Sequence, residues 1–359
     1  MFDLKIVIIG GGIAGLAAAI ALKRNKNKVV VREKNASSSN SGMAFMIHES
    51  TIRKINALTD RDLEVKDCQI NNFVLRDSRL NTDHIKIKGW YAIKRVKLLN
   101  FLQSQLSTDE YRDNSDFSHF HYKEDKAIAA VFKDGSIECG DLFIGADGIN
   151  SQVRNLVSEA HFFPNEINEI VCIAKHKDEN IHDNTFRKYV SIKRGMSFGY
   201  IPVSNNEHVW FLQFNSKLYG SVFEKREGIE KALSPKLLAE FPKEVREIIA
   251  DSDLKKSHLW KNQELKLLNS YYKSNICLIG DAAHGSISLT SSGVSSGISS
   301  AIELAECLNS FESLYTAFNE YESIRKKKNT QTIEYAQKLK LQFNSPPNSI
   351  NNYALPLFH

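Results

Sequence analysis

Apolar residues at the start of the chain form a continuous run that turns into a helical pattern. Ile6 to Ile9 is an unbroken β-branched segment, which is typical of a strand buried on both faces of a parallel sheet. From Ala14 to Leu22 the run becomes rich in Ala and Leu, which favours a helix. Lys28 to Arg32 is strand-like again. These segments predict a βαβ unit at the start of the chain.

The remainder of the chain alternates between strand patterns and helix patterns. Strand-like segments occupy 70–88, 127–132, 139–145, 162–214 and 276–279, and helix-like segments occupy 52–58, 95–102, 224–250 and most of the chain after 293. This order predicts an α/β fold with a discontinuous Rossmann-like domain, an inserted β-sheet domain and C-terminal helices. The predicted boundaries are 1–69, 89–161 and 265–310 for the Rossmann-like domain, 70–88 and 162–264 for the inserted domain, and 311–345 for the C-terminal helical segment.

Composition and charge argue against several classes of protein. The 359 residues are 42% hydrophobic and 25% charged, which is ordinary for a soluble globular protein. The net charge is +5, and the densest basic cluster, Arg325 to Lys328, is interpreted as a solvated helix face, so no nucleic-acid partner is expected. The uncharged run from Ile6 to Leu22 lacks the length of a membrane span and the basic leader of a signal peptide, so no transmembrane segment is expected.

The cysteines are few and far apart. They are Cys68, Cys139, Cys172, Cys277 and Cys307. Their odd number and the lack of a C-x-x-C pair argue for a reducing compartment and against a disulfide framework or a metal site. We therefore predict a cytoplasmic protein without a bound metal, and the pattern leaves the oligomeric state open.

Three glycines between the first strand and the first helix follow the spacing G-x-G-x-x-G. In this context Gly10 makes a tight turn, Gly12 lets the backbone approach a pyrophosphate, and Gly15 lets the helix pack closely on the strand. The start of the helix points free N–H groups at the phosphates. Glu33, about 20 residues on, follows the second strand and is placed to accept from a ribose hydroxyl. The sequence therefore predicts a dinucleotide site.

Two aspartates follow other buried strands. Asp147 comes after a strand in "GDLFIGADGINSQVR", and Asp281 comes after one in "ICLIGDAAH". Ligands of open α/β sheets bind at the carboxyl ends of the strands, so both carboxylates are candidates to contact a sugar or ribityl hydroxyl. Either one could instead cap a turn, and that alternative stays open. For His284 a packing role at a helix start is the favoured interpretation.

The set of motifs resembles the FAD-dependent aromatic hydroxylases, or class A flavoprotein monooxygenases, with the para-hydroxybenzoate hydroxylase fold. The resemblance covers most of the chain, in the family's order, and includes the C-terminal helix around "YESIRKKKNTQ". It implies that the Rossmann-like domain binds FAD and that Arg95 lies near the FAD phosphates, although a surface helix position is the alternative for this arginine. The implied cofactor-binding residues are Gly10, Gly12, Ile13, Ala14, Gly15, Glu33, Lys34, Arg95, Asp147, Asp281, Gly293 and Val294.

The resemblance also implies an activity. FAD would be reduced by NADPH or NADH and would react with O₂ to a flavin C4a-hydroperoxide, which transfers one oxygen atom to a small organic substrate, aromatic or polycyclic. The cofactor carries the chemistry, so no catalytic residue is assigned from the sequence. The alternatives are a reductase or halogenase on the same fold, or a flavin-binding homologue that has lost oxygen transfer.

The chain departs from the family after "GDAAH". Where the family has a Pro, Gly-Gln-Gly, an Asn and an Asp-Ala pair, this sequence has Ser288, Ser291-Ser292-Gly293, Ser295 and Ser300-Ala301. Because serine reaches positive φ less easily than glycine, we expect this loop to follow a different backbone path and to place hydroxyls beside the flavin. The hydroxyls could instead face solvent or cap the next helix.

The inserted domain supplies candidates for the wall of a substrate pocket. Phe198, Tyr200, Trp210 and Phe211 would suit a planar or apolar molecule, with plain sheet core as the alternative.

Overall fold

A computed structural model describes residues 4–36, 43–65, 69–175, 183–191, 195–223 and 237–357, together with Ile229 and Leu233. Cys68 and parts of the helical pattern predicted over 224–250 lie outside these residues.

The strands are β1 Lys5–Ile9, β2 Lys28–Arg32, β3 Ala44–His48, β4 Gln69–Asp77, β5 Thr82–Lys94, β6 Tyr111–Arg112, β7 Phe117–Lys123, β8 Lys126–Phe132, β9 Ile137–Cys139, β10 Leu142–Gly145, β11 Ile167–Lys175, β12 Thr185–Ser191, β13 Met196–Ser204, β14 Glu207–Asn215, β15 His258–Trp260, β16 Tyr272–Lys273 and β17 Ile276–Leu278. The helices are α1 Ile13–Arg24, α2 Glu49–Leu58, α3 Arg95–Gln103, α4 Arg154–Val157, α5 Ser216–Phe223, α6 Lys243–Ala250, α7 Asp281–His284, α8 Gly293–Ser310 and α9 Leu314–Asn344.

A six-stranded sheet forms the nucleotide-type half of the molecule. Its order is β16-β17-β10-β1-β2-β6, and β17, β10, β1 and β2 run parallel to one another. The apolar run Ile6–Ile9 lies at its centre with at most 2% exposure, as its lack of alternation predicts. Apolar residues of α1, α3, α8 and α9 complete the same core. The predicted α/β architecture with an inserted sheet and C-terminal helices is confirmed.

An eight-stranded sheet forms the second half, with order β15-β11-β14-β13-β12-β4-β5-β3. One of its faces packs against Val245, Ile248 and Ile249 of α6. Residues near the end of the chain, including Ile350 and Tyr353, pack against apolar residues of the other face. The sheet therefore has one face closed by a local helix and one covered by the C-terminal segment.

The strands of the inserted sheet begin earlier and end later than the sequence pattern indicates. β3 belongs to this sheet through antiparallel pairing with β5, and β5 continues to Lys94 rather than ending near residue 88. Pairing between strands about 45 residues apart leaves no local signal in the sequence. The domain boundaries themselves stay a prediction.

Three of the four aromatic residues expected in a pocket wall face the closed side of the sheet. Phe198, Tyr200 and Trp210 are at most 6% exposed and lie in the core that contains α6, whereas Phe211 lies on the opposite face and contacts Phe186. The expectation that all four line one pocket is wrong, because consecutive residues of a strand point to opposite faces.

The long helices carry no membrane-spanning pattern. Across the residues that the structure describes, no helix has the length and apolar character needed to cross a membrane.

Candidate functional site

Four of the predicted cofactor residues lie along one edge of the six-stranded sheet. They follow the carboxyl ends of parallel strands: Gly10 after β1, Glu33 after β2, Asp147 after β10 and Asp281 after β17. These four strands are adjacent and parallel, so their ends open on a common crevice. The fold thus brings together side chains that stand up to 271 positions apart in the chain.

The glycine turn has the geometry that its spacing predicts. Gly10 adopts φ of +110°, and a Cβ there would lie 2.3 Å from the carbonyl oxygen of Ala146. A Cβ at Gly15 would lie 2.0 Å from the carbonyl oxygen of Gly10. Both glycines are therefore required by close packing of the protein against itself.

Gly12 differs from its two neighbours because no protein atom requires it. Its backbone is extended, and a Cβ there would meet nothing within 4 Å. A Cβ at Gly293, the first residue of α8, would likewise meet nothing within 4 Å. Open space at a glycine that starts a helix suits the close approach of a phosphate-bearing ligand, so the turn fits the pyrophosphate of FAD.

Ala14, at the start of α1, packs the glycine turn against the turn before Asp281 and against α8. The Cβ of Ala14 lies 2.7 Å from the position that a Cβ would take at Gly280 and 3.3 Å from that at Gly297. Ile13 and Val294 are partly buried against the same core. The helix start, the turn before Asp281 and α8 are thus in direct contact.

Glu33 lies beside the glycine turn. Its carboxylate accepts from the backbone N–H of Gly11 at 2.7 Å and of Asn35 at 2.9 Å. Half-buried Arg95 begins α3 nearby: burial lowers the pKa of its guanidinium, and the negative charge of Glu33 opposes that change. Lys34 is exposed. Arg95 is therefore half-buried on the same side of the sheet as Glu33, within reach of its charge, and not on an exposed helix surface.

Asp147 caps a turn. Its carboxylate accepts from the hydroxyl of Ser151 and from the backbone N–H groups of Gln152 at 2.7 Å and Val153 at 3.2 Å. The capping alternative considered for this residue is thus present in the structure. The half-buried carboxylate still lies at the edge of the crevice, and a carboxylate has lone pairs beyond the three already used.

Arg154, which is not among the residues predicted from the sequence, joins the two aspartate motifs. Its side chain is 3% exposed and donates to the carbonyl oxygens of Ile149 at 2.6 Å and Ala282 at 3.3 Å. It therefore fixes the loop after β10 against α7. Its position at the end of the Asp-Gly motif, residues 145–154, is the sequence feature that could have indicated this role.

Asp281 is the first residue of α7 and lies beside the crevice. Its side chain remains accessible, but the surrounding protein removes enough water to raise its pKa to about 6, and the positive charge of Arg154 opposes that rise. The carboxylate is therefore mostly charged at neutral pH, where it can accept a hydrogen bond from a ligand hydroxyl, and it is mostly protonated near pH 5.

This titration predicts that FAD affinity depends on pH. A charged acceptor bonds a ligand hydroxyl more strongly than a neutral one, so the Kd for FAD should rise about tenfold as pH falls from about 7.5 to about 5. Asp281→Asn should bind FAD more weakly than wild type at about pH 7.5, and the difference should largely vanish near pH 5, where the wild-type carboxyl is also neutral; fluorescence titration measures both. Asp116→Asn, at an exposed ion pair, is the control and should follow the wild type. An unchanged pH profile in Asp281→Asn would remove this residue from the site.

The same shift has a consequence for stability. Because the pKa of Asp281 is raised on folding, its contribution to stability is full below the unfolded pKa of about 3.9 and is lost as pH rises through about 6. The cofactor-free Asp281→Asn variant should therefore unfold at a higher temperature than wild type above that pH.

His284 has a packing role. It is 9% exposed, and its ring nitrogens lie 3.3 Å from Ser296 Oγ and 3.5 Å from Arg325 Nη2. Burial and the positive charge of Arg325 hold its pKa well below the usual value. A neutral, buried imidazole in a polar network agrees with the favoured interpretation. Arg325 is also buried, at 2%, and pairs with Glu303 at 3.2 Å, so it is not part of a solvated face.

The loop between α7 and α8, residues 285–292, is called the serine loop here, and it differs from expectation at Ser291. This residue adopts φ of +52° and ψ of 20°, so it occupies the left-handed region in spite of the cost of about 1–2 kcal/mol. The reasoning that serine would avoid positive φ is therefore wrong. The hydroxyls neither cap α8 nor only face solvent: Ser288 donates to Glu169 at 3.2 Å and Thr51 donates to Ser295 at 2.9 Å.

Comparison with known proteins agrees with this geometry. A family described as FAD binding domain matches residues 3–336. The 3-amino-4-hydroxybenzoate 2-monooxygenase of Streptomyces cremeus is 23% identical over 359 residues, which cover 96% of this chain and 89% of the relative. FAD-dependent monooxygenase sor5 of Hypocrea jecorina is 24% identical over 345 residues, 85% of this chain and 75% of the relative.

A solved structure shares the fold. Klebsiella pneumoniae HpxO complexed with FAD and uric acid superposes with a TM-score of 0.85 at 19% identity, over 97% of this chain and 90% of that chain. The family match spans nearly the whole six-stranded half, the inserted sheet and α8. The chain therefore belongs to the FAD-binding domain family, has the fold of the class A flavoprotein monooxygenases, and is an FAD-dependent monooxygenase.

Proposed function

We propose that this monooxygenase uses NADPH or NADH to insert one oxygen atom from O₂ into a small aromatic or polycyclic substrate. The observation that carries the proposal is the convergence of the glycine turn, Glu33, Asp147 and Asp281 on one crevice between adjacent parallel strands. The overall reaction would convert substrate, O₂, NAD(P)H and a proton into hydroxylated substrate, NAD(P)⁺ and water. Reduction by NAD(P)H and oxygen transfer by a flavin C4a-hydroperoxide come from the family resemblance.

Different residues of the crevice would bind the pyrophosphate, the adenosine ribose and the ribityl chain of FAD. Gly12 and the N–H groups at the start of α1 would hold the pyrophosphate, with Arg95 beside it, and Glu33 would accept from the ribose of the adenosine half. Asp281 would accept from the ribityl chain, with Asp147 as a further acceptor at the same edge of the sheet. When bound, FAD supplies the redox chemistry, while the chain orients it and limits the access of water.

The names of related proteins support an aromatic substrate. The relatives include a hydroxylase of an aminohydroxybenzoate, and the related crystal structure holds uric acid. Both molecules are planar and carry acidic groups. We also propose, from the cysteine pattern, that the protein works in a reducing compartment such as the cytoplasm.

A product assay tests the proposal. The purified protein should be yellow, should oxidise NADPH or NADH faster when an aromatic substrate is present, and should transfer one atom of labelled O₂ to that substrate, as read by mass spectrometry. A reduced product would indicate a reductase, and a halogenated product in the presence of halide would indicate a halogenase. Bound FAD with no product from a broad panel of phenols, polyketides and heteroaromatic compounds would indicate that oxygen transfer has been lost.

A further inference from the structure

Arg325 is a buried cation in the middle of α9. Its side chain is 2% exposed, although the three lysines that follow it are half-buried or exposed. Glu303 of α8 supplies a counter-charge at 3.2 Å but also pairs with Lys328 at 2.5 Å. Arg325 Nε is buried and has no hydrogen-bond partner among the described residues. Because apolar residues of similar volume often replace a buried ion pair without loss of stability, packing alone does not explain this guanidinium.

Other donors of Arg325 reach both ends of the serine loop. Its Nη2 lies 3.5 Å from Nε2 of His284, which ends α7 directly before the loop. The same nitrogen donates at 2.6 Å to Oγ of Ser296, in the first turn of α8 directly after the loop. It also donates to Asn329 Oδ1 at 3.0 Å, and the Asn329 amide donates to the hydroxyl of Tyr271 at 2.7 Å. One side chain, itself held from α9, therefore bridges the two ends of the loop.

The chemistry of the bridge sets the protonation of His284. A guanidinium has only donors, so His284 Nε2 faces it as an acceptor and the ring proton is on Nδ1. That nitrogen lies 3.3 Å from Ser296 Oγ, to which it can donate. Burial and the positive charge of Arg325 hold the pKa of His284 well below its usual value, which keeps the ring neutral. The two loop ends are thus joined to each other as well as to the arginine.

The same helix also contacts the middle of the serine loop. Leu339 and Phe343 of α9 belong to one buried cluster with Ile287 and Leu289 of the loop. Ser291, two residues further on, has φ of +52°, a conformation that a serine keeps only where the surrounding structure holds it. α9 therefore fixes the loop by apolar contacts in its middle and by a guanidinium across its ends.

Each of the two helices that Arg325 joins begins with a predicted cofactor residue. Asp281 begins α7, three residues before His284, and Gly293 begins α8, three residues before Ser296. A shift of either helix start would move the carboxylate of Asp281 or fill the open space at Gly293. Ligand-binding groups work only when they are held within about 0.5 Å of their positions. The bridge thus lies where it can hold both groups in place.

We propose that Arg325 is a positioning residue of the FAD site, which bridges the ends of the serine loop and so holds Asp281 and Gly293 where the cofactor binds. The inference rests on the proposed placement of FAD and deepens it, because it adds to the site a residue that would not touch the cofactor. It concerns the binding of FAD and not oxygen transfer, so its test needs no substrate.

FAD binding to Arg325→Met tests the inference. The Kd for FAD should rise at least tenfold, measured by fluorescence titration at a temperature at which circular dichroism shows that the cofactor-free variant is folded. Asn275→Leu is the matched control, because Asn275 is 1% exposed and joins Ala127 and Asp141 by three side-chain hydrogen bonds at the opposite edge of the six-stranded sheet. This variant should unfold at a lower temperature than wild type and keep the wild-type Kd.

Ser296→Ala covers the case in which Arg325→Met does not fold. It removes one hydroxyl of the bridge and should raise the Kd at least threefold. Ser299→Ala is its control, because Ser299 lies one turn further along α8 and accepts from Lys54, at an exposed contact of 2.9 Å. At saturating FAD, the absorption maxima of the bound flavin should shift in Ser296→Ala and in folded Arg325→Met, and not in the two controls.

Hydrogen exchange of the cofactor-free protein measures the positioning directly. Peptides that cover 281–296 should exchange faster in Arg325→Met and Ser296→Ala than in wild type, whereas peptides that cover α1 should not change.

Three results would overturn the inference. They are a wild-type Kd in Ser296→Ala and in folded Arg325→Met, an equal rise of the Kd in Asn275→Leu, and faster exchange over the whole chain rather than over 281–296. If Arg325→Met does not fold, Ser296→Ala decides alone. Weaker FAD binding in these variants, together with a wild type that oxygenates no substrate, would instead overturn the proposed function and leave the role of Arg325 intact.

Discussion

Gly12→Val is expected to give a folded protein that no longer binds FAD. The backbone at Gly12 has φ of −73° and ψ of −178°, which any residue adopts, and a Cβ there meets no protein atom within 4 Å. Loss of a glycine before the helix should therefore change the free energy of unfolding by no more than about 1 kcal/mol. The valine side chain would fill the space in which the pyrophosphate must approach the backbone. Flavin content after reconstitution and thermal unfolding of the cofactor-free protein measure the two effects separately.

Gly15→Val is the contrasting variant within the same motif. A Cβ at Gly15 would lie 2.0 Å from the carbonyl oxygen of Gly10, so the helix and the strand would have to separate. We expect a loss of about 1–3 kcal/mol or failure to fold, whether or not FAD is present. A yellow Gly12→Val protein with wild-type affinity would show that the open space at this turn is not the pyrophosphate site.

The parallel sheet could be predicted because its signals are local. Ile6 to Ile9 reads as a strand buried on both faces, and a glycine or acidic residue directly after each such strand marks the edge at which ligands bind. Strand direction then places Glu33, Asp147 and Asp281 at that edge without any knowledge of side-chain packing. The location of the cofactor crevice can therefore be predicted largely from the order of the motifs along the chain.

The covered face and the strand pairing of the inserted sheet could not be predicted in the same way. Alternation shows that Trp210 and Phe211 point to opposite faces, but it does not show which face α6 covers. Gln213 of β14 accepts from Lys188 of β12 at 3.0 Å and donates to Glu169 of β11 at 2.7 Å. These contacts depend on strand pairings that no local sequence pattern indicates. Ser291 adopts positive φ because the surrounding loop holds it there, which overrides its intrinsic preference.

A buried ion pair between α9 and the segment before β16 provides the other large expected effect. Glu264 is fully buried and Lys340 is 9% exposed, and the ammonium donates to Glu264 Oε2 at 2.6 Å. Gln337 donates to the same oxygen at 2.9 Å, while Oε1 has no partner among the described residues. Lys340→Met would leave this carboxylate buried without its counter-charge, which typically costs about 3–5 kcal/mol. Urea unfolding at about pH 8 should show this loss.

The loss of stability in Lys340→Met should be larger at high pH than at low pH, because burial raises the pKa of Glu264. Burial raises the pKa of Glu264 above its unfolded value, although the charge of Lys340 opposes the rise, and removal of Lys340 should raise it further. A group with a raised pKa contributes its full stability below the unfolded pKa of about 4.3, and that stability is lost as pH rises through the folded pKa. The difference between wild type and Lys340→Met should therefore shrink as pH is lowered from about 8 to about 5.

Two further variants separate this effect from a loss of packing. Glu264→Gln added to Lys340→Met removes the buried charge, so the double variant should recover much of the stability at about pH 8 and lose the extra pH dependence. Lys243→Met breaks an exposed pair with Glu247, whose side chains are 82% and 58% accessible, and should change stability by about 0.5 kcal/mol or less. If Lys340→Met is equally destabilised at both pH values and the double variant recovers nothing, the loss comes from the packing of the lysine stem, and Glu264 is not held as a charged partner of α9.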